Sequence, residues 1–314
     1  MGERIEFPKP EERLWQLAEK AYSEKDYLKA YHYYQELEDL QSTFQLNKQL
    51  VQCLQQMGEF AQAIEKADAY LDEYLSDSEG FVQIGHLLIL DSAYFRGRRW
   101  LQLAEKHATV SPEVIEKLAL ELTKVEEVQQ IIGGIDFSEK KSLLQEMDHS
   151  NRPVDSRTWQ SFLHGLTKQQ FLRLMKELLG QLTNPFLLPK LVEELVRLKI
   201  NDSFEVIDYM GEKRQIIPVE LQVLNEMPAW EQMHRVVEEL IGQEDPILAE
   251  SILEELKDHF TLSYPFLPPV QEIDQWVQSY IEEYQSLLTG KMTQSVDDEI
   301  QLKKLKLRQI LATI

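Results

Sequence analysis

The feature that most constrains this chain is a recurrence of small residues. Ala63 follows Ala30 by 33 positions and Gly97 follows Ala63 by 34. Each closes a similar run: Leu17-Ala18 then Tyr27 and Ala30, Leu50-Val51 then Phe60 and Ala63, Ile84-Gly85 then Tyr94 and Gly97. Lys25-Asp26, Gly58-Glu59 and Ser92-Ala93 punctuate the runs between their halves. The spacing predicts two antiparallel helices per unit, with an aromatic opening the second helix. Ala30, Ala63 or Gly97 is expected at its tightest contact, because axes approach to about 8–10 Å only where side chains are small. One such pair cannot bury its apolar face alone, so neighbouring pairs must stack.

This pattern resembles the tetratricopeptide repeat (TPR), whose unit is about 34 residues. The resemblance spans 11–111 as three repeats and implies a bacterial, cytosolic type of TPR protein. It further implies a concave groove lined mainly by the first helix of each pair. In chaperone-binding members that groove grips a peptide's terminal carboxylate with Lys, Arg and Asn. The matching positions here are Trp15, Glu19, Gln49, Glu79 and Gln83. None is a cation, so that clamp is expected to be absent. Trp15, Tyr22 and the Tyr31–Tyr34 run offer an aromatic lining instead, although Tyr27 and Tyr34 match core positions.

Beyond Pro112 helical signals persist without the period. Only 12 glycines and 12 prolines occur in 314 residues, fewer than average for both, which favours helices. Ser111-Pro112 opens a helix expected to run to Gly133-Gly134, and Ser138 is expected to cap the next. Thr167–Gln170 has the form of a capping box. Asn184-Pro185 precedes a helix ending near Lys199, and further helices are expected at Val219–Glu226, Ala229–Ile241, Ile247–Phe260 and Val270–Leu288, the last stopping at Gly290. Between them, 204–217 reads as a short β-hairpin around Gly211, either a connector or lid, or an edge to which a peptide could add. The expected fold is therefore all-α: an α-solenoid, TPR-like at first, with an irregular HEAT-like continuation over 112–290 carrying that hairpin. A tail helix (291–314) follows, with Ile300, Leu307, Leu311 and Ile314 on one face. Lys303, Lys304, Lys306 and Arg308 make it basic. It must bury its stripe on the chain's own acidic C-terminal region, on a second copy as a homodimer, or on another protein.

Charge narrows the partners. Lysine and arginine number 33 against 54 acidic residues, a net −21, which repels phosphate backbones. No nucleic acid is expected. Val219–Leu288 alone carries 15 acidic and two basic residues, either a solvated surface or a face for a basic partner. The N-terminus shows neither a secretory pattern nor a myristoylation motif, and apolar runs such as Leu87–Leu90 are far too short to span a bilayer. A cytoplasmic protein without membrane contact is expected.

Chemistry finds no foothold in the sequence. The seven histidines form no His-Glu-x-x-His or other metal spacing; His32/Glu36 and His234/Glu238 share helix faces only as any acidic helix would. Cys53, the single cysteine, reads as packing. Nucleophile elbow, P-loop and dinucleotide fingerprint are all missing from the sequence. No catalytic residue, metal or cofactor is expected. The leading expectation is a non-enzymatic scaffold binding a protein or peptide. Alternatives are a peptide-responsive regulator lacking its own DNA-binding domain, or a self-associating structural protein.

Overall fold

The computed structural model describes residues 10–107, 110–132, 137–289 and 298–313. The expected helix stops at Gly133-Gly134 and Gly290, the N-terminal targeting readings over 1–9, and Asp297 and Ile314 of the tail lie outside them. The chain divides into two compact units, Met1–Ile135 with Leu163–Thr167, and Asp136–Phe162 with Lys168–Ile314. Both are mostly helical, with consecutive helices paired antiparallel. No helix among the described residues is long and apolar enough to cross a membrane.

The first unit runs α1 (Pro10–Ser23), α2 (Tyr27–Leu40), α3 (Phe44–Met57), α4 (Phe60–Ala67), a 3-10 turn (Asp68–Tyr70), α5 (Leu71–Ser76), α6 (Ser78–Leu90), α7 (Tyr94–His107) and α8 (Pro112–Ile132). The repeat is visible in the backbone itself. Lys25, Gly58 and Ser92, spaced like the small residues, are all left-handed, with φ of 64°, 81° and 58°. Behind each, the next residue's N–H donates five residues back: Asp26 to Ala21, Glu59 to Leu54 and Ala93 to Leu88, at 2.8–2.9 Å. The three turns are thus one Schellman motif repeated, satisfying carbonyls the helix end would otherwise leave unpaired.

Ala18, Ala30, Leu50, Val51 and Ala63 are wholly buried, as are Ile84, Tyr94, Gly85 and Gly97 to within a few per cent. Leu17, Tyr27 and Phe60 are half-buried at the edges of the pairs, and Gly58 is exposed in its turn. Val51, large where a small residue is usual, is accommodated in the core. In the third repeat the tight approach is at Gly85 rather than Gly97. A β-carbon on Gly85 would stand 2.2 Å from Leu118 Cδ2, whereas one on Gly97 would meet nothing closer than 3.6 Å. The reason is that α8 lies across α6 at that point. Two polar groups inside are paired: Trp100 Nε1 donates to the Phe81 carbonyl at 3.0 Å while its ring stacks on Phe81, and Asn47 donates to Lys66 O at 2.8 Å and accepts from Tyr74 at 3.0 Å.

The second unit contains α9 (Phe137–Ser150), α10 (Ser156–Leu163, its last residue in the first unit), α11 (Lys168–Leu178), α12 (Leu188–Arg197), β1 (Phe204–Ile207), β2 (Lys213–Ile216), α13 (Pro228–Val237), α14 (Pro246–Ser263), α15 (Ile273–Thr289) and α16 (Asp298–Leu311). Asp245 caps α14 by accepting from Leu248 N–H. β1 and β2 pair antiparallel from Phe204 opposite Ile216 to Ile207 opposite Lys213, around Gly211 at φ +85°. Two expectations need correction. Ser138 lies inside the first turn of α9, which already begins at Phe137. Val219–Glu226 is not a helix but two 3-10 turns, Pro218–Glu220 and Leu224–Glu226. Its backbone is claimed from outside: Val219 N–H donates to Ile200 O at 2.8 Å, and Gln222 O accepts from Tyr264 at 2.9 Å. Further on, α13 continues past Val237 as a π-turn over Glu238–Gly242.

Candidate functional site

The first repeats enclose a cleft of about 510 Å³ between α1 and the corner where α2 passes to α3. Trp15, Leu37 and Leu46 supply apolar lining; Glu11, Glu12, Gln16, Glu19, Gln41 and Thr43 surround it. Helical spacing puts Glu12, Trp15, Gln16 and Glu19 on one face of α1. Trp15 is held in place: its ring meets Tyr34 edge-on at 5.4 Å and its Nε1 donates to Glu19 at 2.8 Å. Tyr34 in turn donates to Gln49 at 3.4 Å. Three of the five groove positions, Trp15, Glu19 and Gln49, therefore meet around one buried tyrosine. The other two lie further along. Glu79 is exposed in the first turn of α6, and Gln83 donates to Gln55 of α3 at 3.3 Å. Among the described residues, the lining of this cleft contains no lysine or arginine. Of the tyrosine run, Tyr31 and Tyr33 are half-buried and His32 is exposed.

Two features escaped sequence reasoning. Ion pairs join successive helix pairs at a constant offset of 28 positions: Glu38 to Lys66, Asp68 to Arg96, and Glu126 to Arg98. Their signal was present as opposite charges 28 apart, hidden by the many other charges. The second feature is where the tail goes. Ile300 and Leu307 are buried within the second unit, and Lys304, read as part of a basic face, is completely buried. Its ammonium donates to Glu283 at 2.6 Å and to Ser279 O at 3.1 Å, 4.0 Å from the centre of the Tyr280 ring. Arg308 bonds Glu255 at 2.6 Å and also Glu283. Beneath them His259 is wholly buried, its Nδ1 on the Tyr280 hydroxyl and its Nε2 3.8 Å from Glu255.

These surroundings set the protonation states. Burial lowers Lys304, against the pull of Glu283, and burial holds the His259 imidazole at about 4. Burial alone would raise Glu283, but the hydrogen bonds from Arg308 and Lys304 prevail and keep it below the usual carboxylate range. Lys304 and His259 are enclosed while Glu283, Glu255 and Arg308 keep an edge at the surface, and the cluster pairs cation with anion. It serves to fasten α16 to α14 and α15 rather than to meet a substrate. Cys53 is buried and its thiol is pushed up to about 12, so it is not a poised nucleophile. Among the described residues no three His, Cys, Asp or Glu side chains gather as a metal ion would need. In the hairpin, β1 has Gly180 against its Glu205 carbonyl, while Lys213–Gln215 of β2 are exposed.

No family model matches the chain, and no solved structure matches it. A relative does: the TPR repeat-containing protein YsoA of Bacillus subtilis (strain 168) is 23% identical over 290 residues, covering 87% of this chain and 83% of that one. Repeated helix pairs, a Schellman turn recurring with the small residues, and this similarity over most of both lengths point the same way. The chain is a helical-repeat protein, a distant homologue of a TPR repeat-containing protein.

Proposed function

We propose that this protein is a non-enzymatic scaffold that binds a protein or peptide through its first repeats. The observation that carries the reading is the convergence of Trp15, Glu19 and Gln49 around Tyr34, beside an open cleft. A rigid aromatic at the edge of a partly apolar cleft is what peptide anchors seek. The name of the Bacillus subtilis relative adds that such repeats occur in a protein of similar extent. Residues 11–111 would then form the binding part, 112–290 its helical continuation, and the tail a fastening. A cytoplasmic location accords with this role. A regulator that answers to a peptide and acts through a separate DNA-binding protein would use the same cleft for a different end.

Copurification of the full chain from native lysate, followed by mass spectrometry, tests the proposal. A protein retained by the intact chain and by Glu250→Lys, but lost by Trp15→Ala, is the expected result. An absent partner together with a measured turnover would overturn it. Self-association is a second reading, favoured by one observation: Leu302 and Leu305 of α16 are 57% and 55% exposed on the side away from the buried Ile300 and Leu307. Light scattering would then show a dimer that Leu302→Glu with Leu305→Glu returns to a monomer.

A further inference from the structure

We infer that the cleft between α1 and the α2–α3 corner receives an apolar side chain carried on a positively charged segment of a partner protein. This rests on the scaffold reading and names its ligand chemistry. Leu37 and Leu46 are almost entirely buried and Trp15 is fixed by Tyr34 and Glu19, so the apolar surface is preformed. Its volume lies within the range of about 300–1,000 Å³ that side-chain and small-ligand pockets occupy.

The rim decides the charge of the occupant. Glu11, Glu12 and Glu19 are exposed carboxylates, and the other described polar residues of the lining, Gln16, Gln41 and Thr43, are neutral. Glu11 and Glu12 have an ordinary use in the first turn of α1, where the helix dipole favours anions. Glu19 has no such excuse, standing in the middle of the helix with its carboxylate aligned on Trp15. Three like charges line one opening, and charges closer to a bound segment than a Debye length of about 8 Å are not screened away. A segment ending in a carboxylate, or rich in Asp and Glu, is repelled; one carrying Arg or Lys beside a leucine or phenylalanine satisfies both floor and rim.

Fluorescence anisotropy on the full chain tests this with three labelled twelve-residue probes: alternating Leu and Arg, alternating Leu and Glu, and alternating Ser and Arg. The Leu/Arg probe should bind, and the other two should bind at least tenfold more weakly. Its affinity should fall at least tenfold in Trp15→Ala and in Glu12→Lys with Glu19→Lys, yet stay within twofold in Glu244→Lys with Glu250→Lys, which changes the overall charge by the same amount at exposed positions elsewhere. Circular dichroism confirms that each variant is folded, and the charge variants read the site independently if Trp15→Ala is not. Equal binding of the Ser/Arg or Leu/Glu probe, or indifference to both site variants, overturns the inference. A concentration-dependent dimer abolished by Glu12→Lys would make a second copy the occupant, and overturns it too. If the probes fail while a lysate partner is still lost on Trp15→Ala, the scaffold function stands and this inference alone falls.

Discussion

Gly85 of α6 lies so close to Leu118 of α8 that a single added β-carbon would overlap the leucine's methyl group at 2.2 Å. Leu118 is 3% exposed and cannot swing into solvent. Gly85→Ala should therefore destabilise the first unit by about 1–2 kcal/mol. Overpacking costs about 1–3 kcal/mol, and the better helix propensity of alanine returns up to about 1. At Gly97 the nearest atoms leave ordinary contact distance, so Gly97→Ala should stabilise by up to about 1 kcal/mol. Urea midpoints of the two variants should move in opposite directions. If both fall together, the close approach of α6 and α8 at Gly85 is not as described.

The repeated turn makes a second prediction. Lys25 and Ser92 adopt the left-handed conformation that Gly58 adopts without cost. A residue with a β-carbon pays roughly 1 kcal/mol there. Lys25→Gly should raise stability by several tenths of a kcal/mol and Gly58→Ala should lower it by about 1, whereas in Ser92→Gly the backbone relief is offset by loss of the hydroxyl that accepts from Tyr94. Thermal melting of the three variants separates this from a propensity effect. Glycine outside such a turn is destabilising, so a fall in Tm for Lys25→Gly would contradict the motif.

Much of this was legible in the sequence because one physical requirement, close helix approach, leaves a small residue at each crossing. That signal located the helix pairs, their turns and the buried positions Ala30, Ala63 and Gly97. It could not say that Gly85 is the tighter site, because α8 is outside the repeat that defines the pattern. Val219–Glu226 misled for another reason. Its apolar residues fit a helix, but Ile200 and Tyr264, both distant in sequence, take up its backbone hydrogen bonds. At the cleft, Trp15 and Glu19 followed from repeat alignment, while Gln41 and Thr43 did not. They come from the connection between α2 and α3, where Thr43 also caps α3 by accepting from Leu46 N–H. On a helical wheel Lys304 falls in the apolar stripe of Ile300, Leu307 and Leu311; its charge, not its position, makes it read as a solvated cation. Only the placement of α15 beneath it explains its burial.

Because Lys304 is fully buried while the Glu283 side chain is 29% exposed, removing the two partners should have unequal effects. Lys304→Met leaves Glu283 near water and still bonded to Arg308; its expected cost is within about 1 kcal/mol. Glu283→Gln leaves a buried ammonium without its counter-ion, and losing one partner of a buried pair costs about 3–5 kcal/mol. Hydrogen exchange in Asp298–Leu311 should accelerate strongly in Glu283→Gln and little in Lys304→Met. The reverse order would mean that the ammonium is not enclosed.

His259 gives the second unit a pH dependence with a definite sign. Burial holds its folded-state pKa at about 4, below an ordinary value of 6.5. The groups facing it pull both ways: Glu255 and Glu283 favour the proton, and Arg308 and Lys304 oppose it. Tyr280 occupies Nδ1. As pH falls below about 6.5 the unfolded chain takes up a proton that the folded chain refuses until near 4. The unfolded state then binds more protons, so stability decreases with falling pH across that window. At about 1.4 kcal/mol per pKa unit, the loss approaches 3 kcal/mol by pH 4. Glu283, held below its ordinary value, adds a further loss only as pH drops through its own folded value, deeper in the acid range. His259→Gln can still accept from Tyr280 but cannot titrate. Its urea midpoint should therefore change much less than that of the unaltered chain between pH 6.5 and 4, with the acid limb retained. Equal slopes in the two proteins would show that His259 is not the group that the folded state keeps neutral.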